Sequence, residues 1–193
     1  MKINIYDFDK TIYKNDSCVD FIKYTLKKHP FLMSFTIIKS IPSMIMYLFN
    51  KKYLKKMKEN LLSIITKIND FENYIEKFWD KHEKNINSWY LNQKKETDII
   101  ISANFDFIIN PICKRMKLQN IISTKIDLKT AKIIGNQCRK EEKVKVLKEK
   151  YPNILVGETY SDSKNDIPLL EIGNPGYVVK GEKLEKYYKG YFK

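Results

Sequence analysis

The hydrophobic positions change their period along the chain. A short apolar run, Ile3-Asn4-Ile5-Tyr6, ends in acids and reads as a buried strand. From about Asn15 to Glu96 the spacing is helical, with no clear strand. Asp16-Ser17 reads as the cap of a helix running to about Lys28. Asp70 opens another helix that carries Phe71, Tyr74, Phe78 and Trp79. Beyond Thr97, short β-branched runs return at Asp98–Ile101, between Ile121 and Ile134, at Ile154–Tyr160 and at Tyr177–Val179. Helical stretches fall near Phe105–Met116 and at Glu141–Lys150, and a polar helix is expected to close the chain. Strand–helix alternation around a helical insert predicts an α/β fold with a parallel sheet. Residues 1–14 and 97–193 would form the core, and residues 15–96 a second, all-helical layer or domain.

In open parallel sheets, ligands gather at the carboxyl ends of the strands. Three predicted strands end in polar clusters: Asp7-Phe8-Asp9-Lys10-Thr11, Ser102-Ala103-Asn104, and Ser161-Asp162-Ser163-Lys164-Asn165-Asp166. Nothing structural requires acids after a buried strand, and neighbouring carboxylates repel unless a cation neutralises them. Mg²⁺ suits such a set, because it takes one or two carboxylates together with waters and substrate phosphate. A site of this kind fits phosphoryl transfer, in which a carboxylate can act as covalent nucleophile.

These residues, in this order, resemble the haloacid dehalogenase-like phosphatases. Asp7-Phe8-Asp9-Lys10-Thr11 is similar to that family's D-x-D-x-T motif, Ser102 to its second motif, Lys143 to its third-motif lysine, and Asp162 with Asp166 to its fourth. The resemblance implies a three-layer, Rossmann-like core, with a cap of the helical (C1) type between the first and second motifs, as in the phosphoserine-phosphatase-like branch (subfamily IB). It further implies an aspartyl-phosphate on Asp7, with Asp9 as general acid and then base. Mg²⁺ would be held by Asp7, the backbone carbonyl of Asp9, and Asp162, with Asp166 as a further ligand or a support. Ser102 and Lys143 would hold phosphoryl oxygens, and Asn165 either touches phosphate or only shapes its loop. Lys10 and Ser161 stand where the family often has Gly. A phosphotransferase or mutase with the same aspartyl chemistry, and a basic non-catalytic membrane-binding protein, are the competing functions.

The insert holds a second feature. Pro30 to Phe49 is mostly apolar but is interrupted by Lys39, Pro42, three Ser and a Thr. It reads either as two short helices packed inside the cap, or as an interfacial segment whose flanking lysines meet anionic headgroups. Basic clusters on both sides disfavour a full crossing. The apolar run and the Tyr160–Asp166 motif are also similar to the phosphatidylglycerophosphatase C branch. That likeness implies a phospholipid headgroup phosphate as substrate, beside the small phosphometabolite of the phosphoserine-like branch, with peripheral membrane contact through residues 30–58.

Charge changes the picture less than its size suggests. Lys and Arg number 36 against 23 Asp and Glu, a net charge of +13, and all the cations but Arg115 and Arg139 are Lys. Nucleic-acid recognition favours the bidentate fork of Arg, so no nucleic-acid partner is expected. A positive field does favour phosphates and anionic surfaces. Three unpaired-looking cysteines, Cys18, Cys113 and Cys138, and no secretory pattern after Met1-Lys2 point to a cytoplasmic protein, membrane-associated if the second reading of 30–58 holds.

Overall fold

In the computed structural model, which describes residues 2–192, the first strand sits at the centre. β1 (Ile3–Tyr6) is flanked by β2 (Ile99–Phe105) on one side and β5 (Val156–Ser161) on the other, both parallel to it. β3 (Asn120–Asp127) and β6 (Gly176–Lys180) extend the parallel sheet outward. Both edges are antiparallel: β4 (Lys132–Ile134) pairs with β3, and β7 (Lys183–Lys186) pairs with β6. The order β4-β3-β2-β1-β5-β6-β7 reverses direction beside β1, and such a switch point opens a crevice at the carboxyl ends of the strands.

Side-chain alternation along the central strands makes three layers. Ile5, Ile99 and Ile101 face one side, against Leu147 of α7 (Glu141–Lys150) and Leu169 of α8 (Ile167–Glu171). Tyr6 and Ile100 face the other, in one cluster with α6 (Asp106–Arg115) and part of the insert. Both faces of the inner strands are covered, which is why their sequences are almost continuously apolar.

The insert supplies α1 (Ser17–Lys28), α2 (Pro30–Phe49), α3 (Leu54–Leu62), α4 (Phe71–His82) and α5 (Ser88–Gln93). Asp16 caps α1 by accepting from the Val19 amide at 3.0 Å. The Phe21 ring lies edge-on to Phe71 and Phe78 of α4 and to Phe107 of α6, geometries that aromatic quadrupoles favour. Trp79 is fully buried, and its Nε1 donates to the Ile108 carbonyl at 2.9 Å. These contacts tie the insert to the core.

Four expectations change. Pro30–Phe49 is one helix rather than two. Pro30 at its first turn is favourable there, and Pro42 lies on the exposed side, where water can meet the carbonyl it leaves unpaired. The expected packing of this run inside the cap also fails: most of its apolar side chains face outward. No polar helix closes the described chain. Lys183–Lys186 instead forms a hairpin with β6, because Gly181 takes φ +63° in a two-residue turn. Finally, β2 runs past Ser102 to Phe105, with a register shift after Ser102.

Gly176 marks a close approach between β6 and α8. A Cβ there would meet the carbonyl oxygen of Leu170. Gly176→Ala is expected to cost about 1–3 kcal/mol, as overpacking typically does. The measurement is the drop in the urea midpoint with an unchanged m-value.

Candidate active site

Asp7 follows the last residue of the central strand and is buried. Its Oδ1 accepts from Lys143 Nζ at 2.6 Å. The same ammonium donates to Asp166 Oδ2 at 2.7 Å, and Ser161 Oγ donates to that oxygen at 2.7 Å. Lys143 shares the buried face of α7 with Leu147, one turn on, so its stem is held in apolar packing while its ammonium reaches the strand end. Asp7 Oδ2 has only a long contact, 3.5 Å from Thr11 Oγ1. Thr11 Oγ1 in turn accepts from the Asp162 amide at 3.1 Å, linking the first acidic loop to the last.

Asp9 belongs to a different network. Its Oδ1 accepts from the Ser17 amide at 2.7 Å, at the start of α1, and its Oδ2 accepts from Asn104 Nδ2 at 3.0 Å. Both the amide and the helix dipole favour a carboxylate there. The register shift after Ser102 brings Asn104 to this position, and the Asn104 amide donates to Ser102 Oγ at 3.0 Å. Ser102 is buried at the floor of the same cavity. Asn165 is exposed at the rim, its amide nitrogen 3.2 Å from Ser163 Oγ.

One cavity of about 340 Å³ brings together the candidate site residues Asp7, Asp9, Ser102, Lys143, Asp162, Asn165 and Asp166. Tyr47, Leu54 and Lys58 close it from the insert, and Lys10 and Arg139 add cations. Sequence reasoning did not assign roles to Asn104, Ser17 or Ser161. Asn104 and Ser161 had a visible signal, as polar residues at strand ends; Ser17 had only its place in the Asp16-Ser17 cap.

The electrostatics follow from burial. Burial raises the Asp9 pKa to about 6, with Asp16 adding to the effect and the Ser17 and Asn104 hydrogen bonds opposing it. Burial also pushes Asp7 up; Lys143 opposes this, while Asp166 and Asp162 add to it. Burial works against the Lys143 ammonium too, but Asp7 and Asp166 outweigh it and hold its pKa above the ordinary lysine value. Asp162 is raised by burial, with Lys10 opposing.

Two carboxylates, Asp7 and Asp166, thus share one buried ammonium, and Asp162 lines the same cavity near Lys10. The oxygens this set leaves free are hard donors. This fits Mg²⁺, which needs only one or two carboxylates beside water and phosphate. Asp7 Oδ2 and the Asp162 carboxylate are the oxygens free for it, whereas Asp166 Oδ2 is already taken by Lys143 and Ser161.

The family model of the haloacid dehalogenase-like hydrolases matches residues 5–171. The chain belongs to that family. A histidinol-phosphatase of Neisseria meningitidis serogroup C (strain 8013) is 35% identical to it, over 47% of this chain and 47% of the relative. The match thus spans about half the length of that protein. Among solved structures, a protein of unknown function from Bordetella pertussis Tohama I superposes with a TM-score of 0.73 at 18% identity, covering 88% of this chain and 86% of the other. A phosphoserine phosphohydrolase-like protein from Francisella tularensis subsp. tularensis SCHU S4 gives 0.54 at 18% identity, covering 91% and 84%. These two likenesses show the fold of this haloacid dehalogenase-like hydrolase.

Lys10 occupies a left-handed conformation, φ +57°, at the position where Gly is frequent in the family motif. An L side chain pays about 1–2 kcal/mol there. Lys10→Gly is expected to raise stability by about 1 kcal/mol in thermal or urea unfolding, even though it removes a cation from the cavity wall. Lys143→Met leaves buried carboxylates without their counter-charge. Removing one partner of such a set costs about 3–5 kcal/mol. The urea midpoint, measured in chelator, is expected to fall accordingly and to recover in part when Asp166→Asn is added.

Proposed function

We propose that this chain is a Mg²⁺-dependent phosphomonoester hydrolase that carries the phosphoryl group transiently on Asp7. The observation that supports this most strongly is the separation of two buried carboxylates, two residues apart, into different networks. Asp7 is oriented by Lys143 through Oδ1, while Asp9 is held by Ser17 and Asn104 at the start of α1. Two like acids held by different partners are how one site can supply both a nucleophile and a proton donor.

In the first step the Asp7 carboxylate oxygen attacks phosphorus, the ester P–O bond breaks, and Asp9 gives its proton to the leaving oxygen. In the second, Asp9 takes a proton from water, the water oxygen attacks phosphorus, and the Asp7–phosphate bond breaks to release phosphate. Lys143 fixes the attacking carboxylate. The Ser102 hydroxyl, which accepts from the Asn104 amide, keeps its own proton to donate to a phosphoryl oxygen. Asp7, the Asp9 carbonyl and Asp162 would hold Mg²⁺, which when bound offsets the charge of the phosphoryl oxygens. The substrate is a phosphomonoester of a small metabolite or of a phospholipid headgroup. The histidinol-phosphatase relative supports phosphorylated alcohols as the class.

Phosphate release measured over such a panel is the test. Asp7→Asn is expected to reduce turnover to background. Asp9→Asn should lower it by about 10²–10⁴-fold, the usual contribution of a general acid–base. Chelator should abolish turnover and added Mg²⁺ restore it. Hydrolysis that survives Asp7→Asn would overturn the proposal.

A further inference from the structure

The helix α2 is inverted. A surface helix of a globular protein normally turns its apolar stripe to the core and its polar side to water. Here the buried positions are Met33, Thr36, Ser40 and Ser43. The hydroxyls bond back along the helix, Thr36 to the Leu32 carbonyl, Ser40 to that of Thr36, and Ser43 to that of Ser40, and Asn60 of α3 donates to Ser43. Small, internally satisfied side chains let α1 and α3 pack closely on this side. The outward side carries Phe31, Phe35, Ile38, Ile45, Leu48 and Phe49, with Phe31 91% and Phe49 87% exposed. At about 100° per residue, Phe31, Ile38 and Phe49 project along one line, opposite Ser40. Among the described residues, this is the one helix long and apolar enough to cross a membrane. Its inner side is already occupied by α1 and α3, which argues against a span.

A patch of this extent marks an interaction surface, and charge selects the occupant. Between Asp20 and Glu59 the chain has nine Lys and no acid, most of the net +13. Lys27 and Lys28 precede the helix, and Lys51, Lys52, Lys55 and Lys56 follow it, all exposed. The Lys39 and Lys51 ammoniums lie 4.4 Å from the ring centroids of Phe35 and Tyr47, on stems long enough to reach past the apolar face. A second copy of the chain would set this basic rim against itself. An anionic lipid surface meets both features at once, with acyl chains for the aromatic and aliphatic stripe and headgroup phosphates for the lysines.

We propose that the outward face of α2 docks the protein on an anionic phospholipid bilayer. Tyr47, in the last turn of α2, lines the same cavity as Asp7, so docking holds that cavity beside the headgroups. This bearing on substrate access rests on the hydrolase reading above; the docking itself does not.

The intact protein is sedimented with vesicles of phosphatidylcholine alone, and of three parts phosphatidylcholine to one part phosphatidylglycerol. Expected is binding to the mixed vesicles at least about tenfold tighter than to the neutral ones, weakened by salt. The combined variant Phe31→Ser, Ile38→Ser, Phe49→Ser should lose that binding by a further tenfold or more. It should keep its circular dichroism and melting temperature, since all three side chains are exposed. Wild-type protein that stays in the supernatant with both vesicle types would overturn the proposal. So would a dimer, seen by light scattering and dissolved by the same variant, in a protein that binds no vesicles. No turnover is read in either arm, so failure here is distinct from failure of the hydrolase assignment.

Discussion

A single buried ammonium organises this protein's chemistry. Lys143 reaches from a helix on one face of the sheet to the end of the central strand, and there it holds Asp7 and Asp166 together. Charges taken out of water must be paired and hydrogen-bonded, or their pKa values move until they are neutral. Much of the local architecture meets that demand. Ser161 supplies a further donor to Asp166, Thr11 ties the first acidic loop to the last, and the Leu147 face of α7 anchors the lysine stem. The pairing leaves Asp7 Oδ2 and the Asp162 carboxylate without a close cationic partner among the described residues. Those free oxygens are the ones on which the proposed hydrolase reading relies.

The sheet topology explains why these groups can meet. β1 has β2 on one side and β5 on the other, so the chain's three polar clusters emerge side by side though they are far apart in sequence. The register shift in β2 then points two nearby residues differently: Ser102 lines the cavity while Asn104 turns to Asp9. Asp9 is thereby insulated from the Lys143 network. Two like residues, Asp7 and Asp9, thus enter different hydrogen-bond networks.

The insert does two things with one set of helices. α4 and α1 interlock with the core through Phe21, Trp79 and Phe107, so the lid is anchored, and Tyr47, Leu54 and Lys58 close the cavity from above. α2 contributes little to the apolar core and spends its large side chains outward. The helix thus departs from the usual logic of burial in the same part of the fold that borders the cavity.

Strand placement and the acidic clusters were legible because they rest on local patterns. A β-branched run bounded by acids, such as Ile3–Asp9, has few other readings, and Asp16-Ser17 announces its helix through capping chemistry. The order of the four motifs was enough to identify Asp7, Asp9, Ser102, Lys143, Asp162, Asn165 and Asp166 as candidates, and the fold gathers them in one cavity. What the sequence left open depends on contacts between distant segments. The closing hairpin forms because β6 offers an edge to Lys183–Lys186, although that segment alone looks like polar helix. Asn104 reaches Asp9 only through a strand irregularity, and Asp166 turns to Lys143 because both are buried at the same point. Composition alone could not say which side of Pro30–Phe49 faces out, since the run contains both a hydroxyl stripe and an apolar stripe. Packing against α1 and α3 chose the hydroxyl stripe for the inside, because small side chains with self-satisfied hydrogen bonds allow close approach. Local chemistry therefore determined the parts, and the burial of charge and of helix faces decided how they are used.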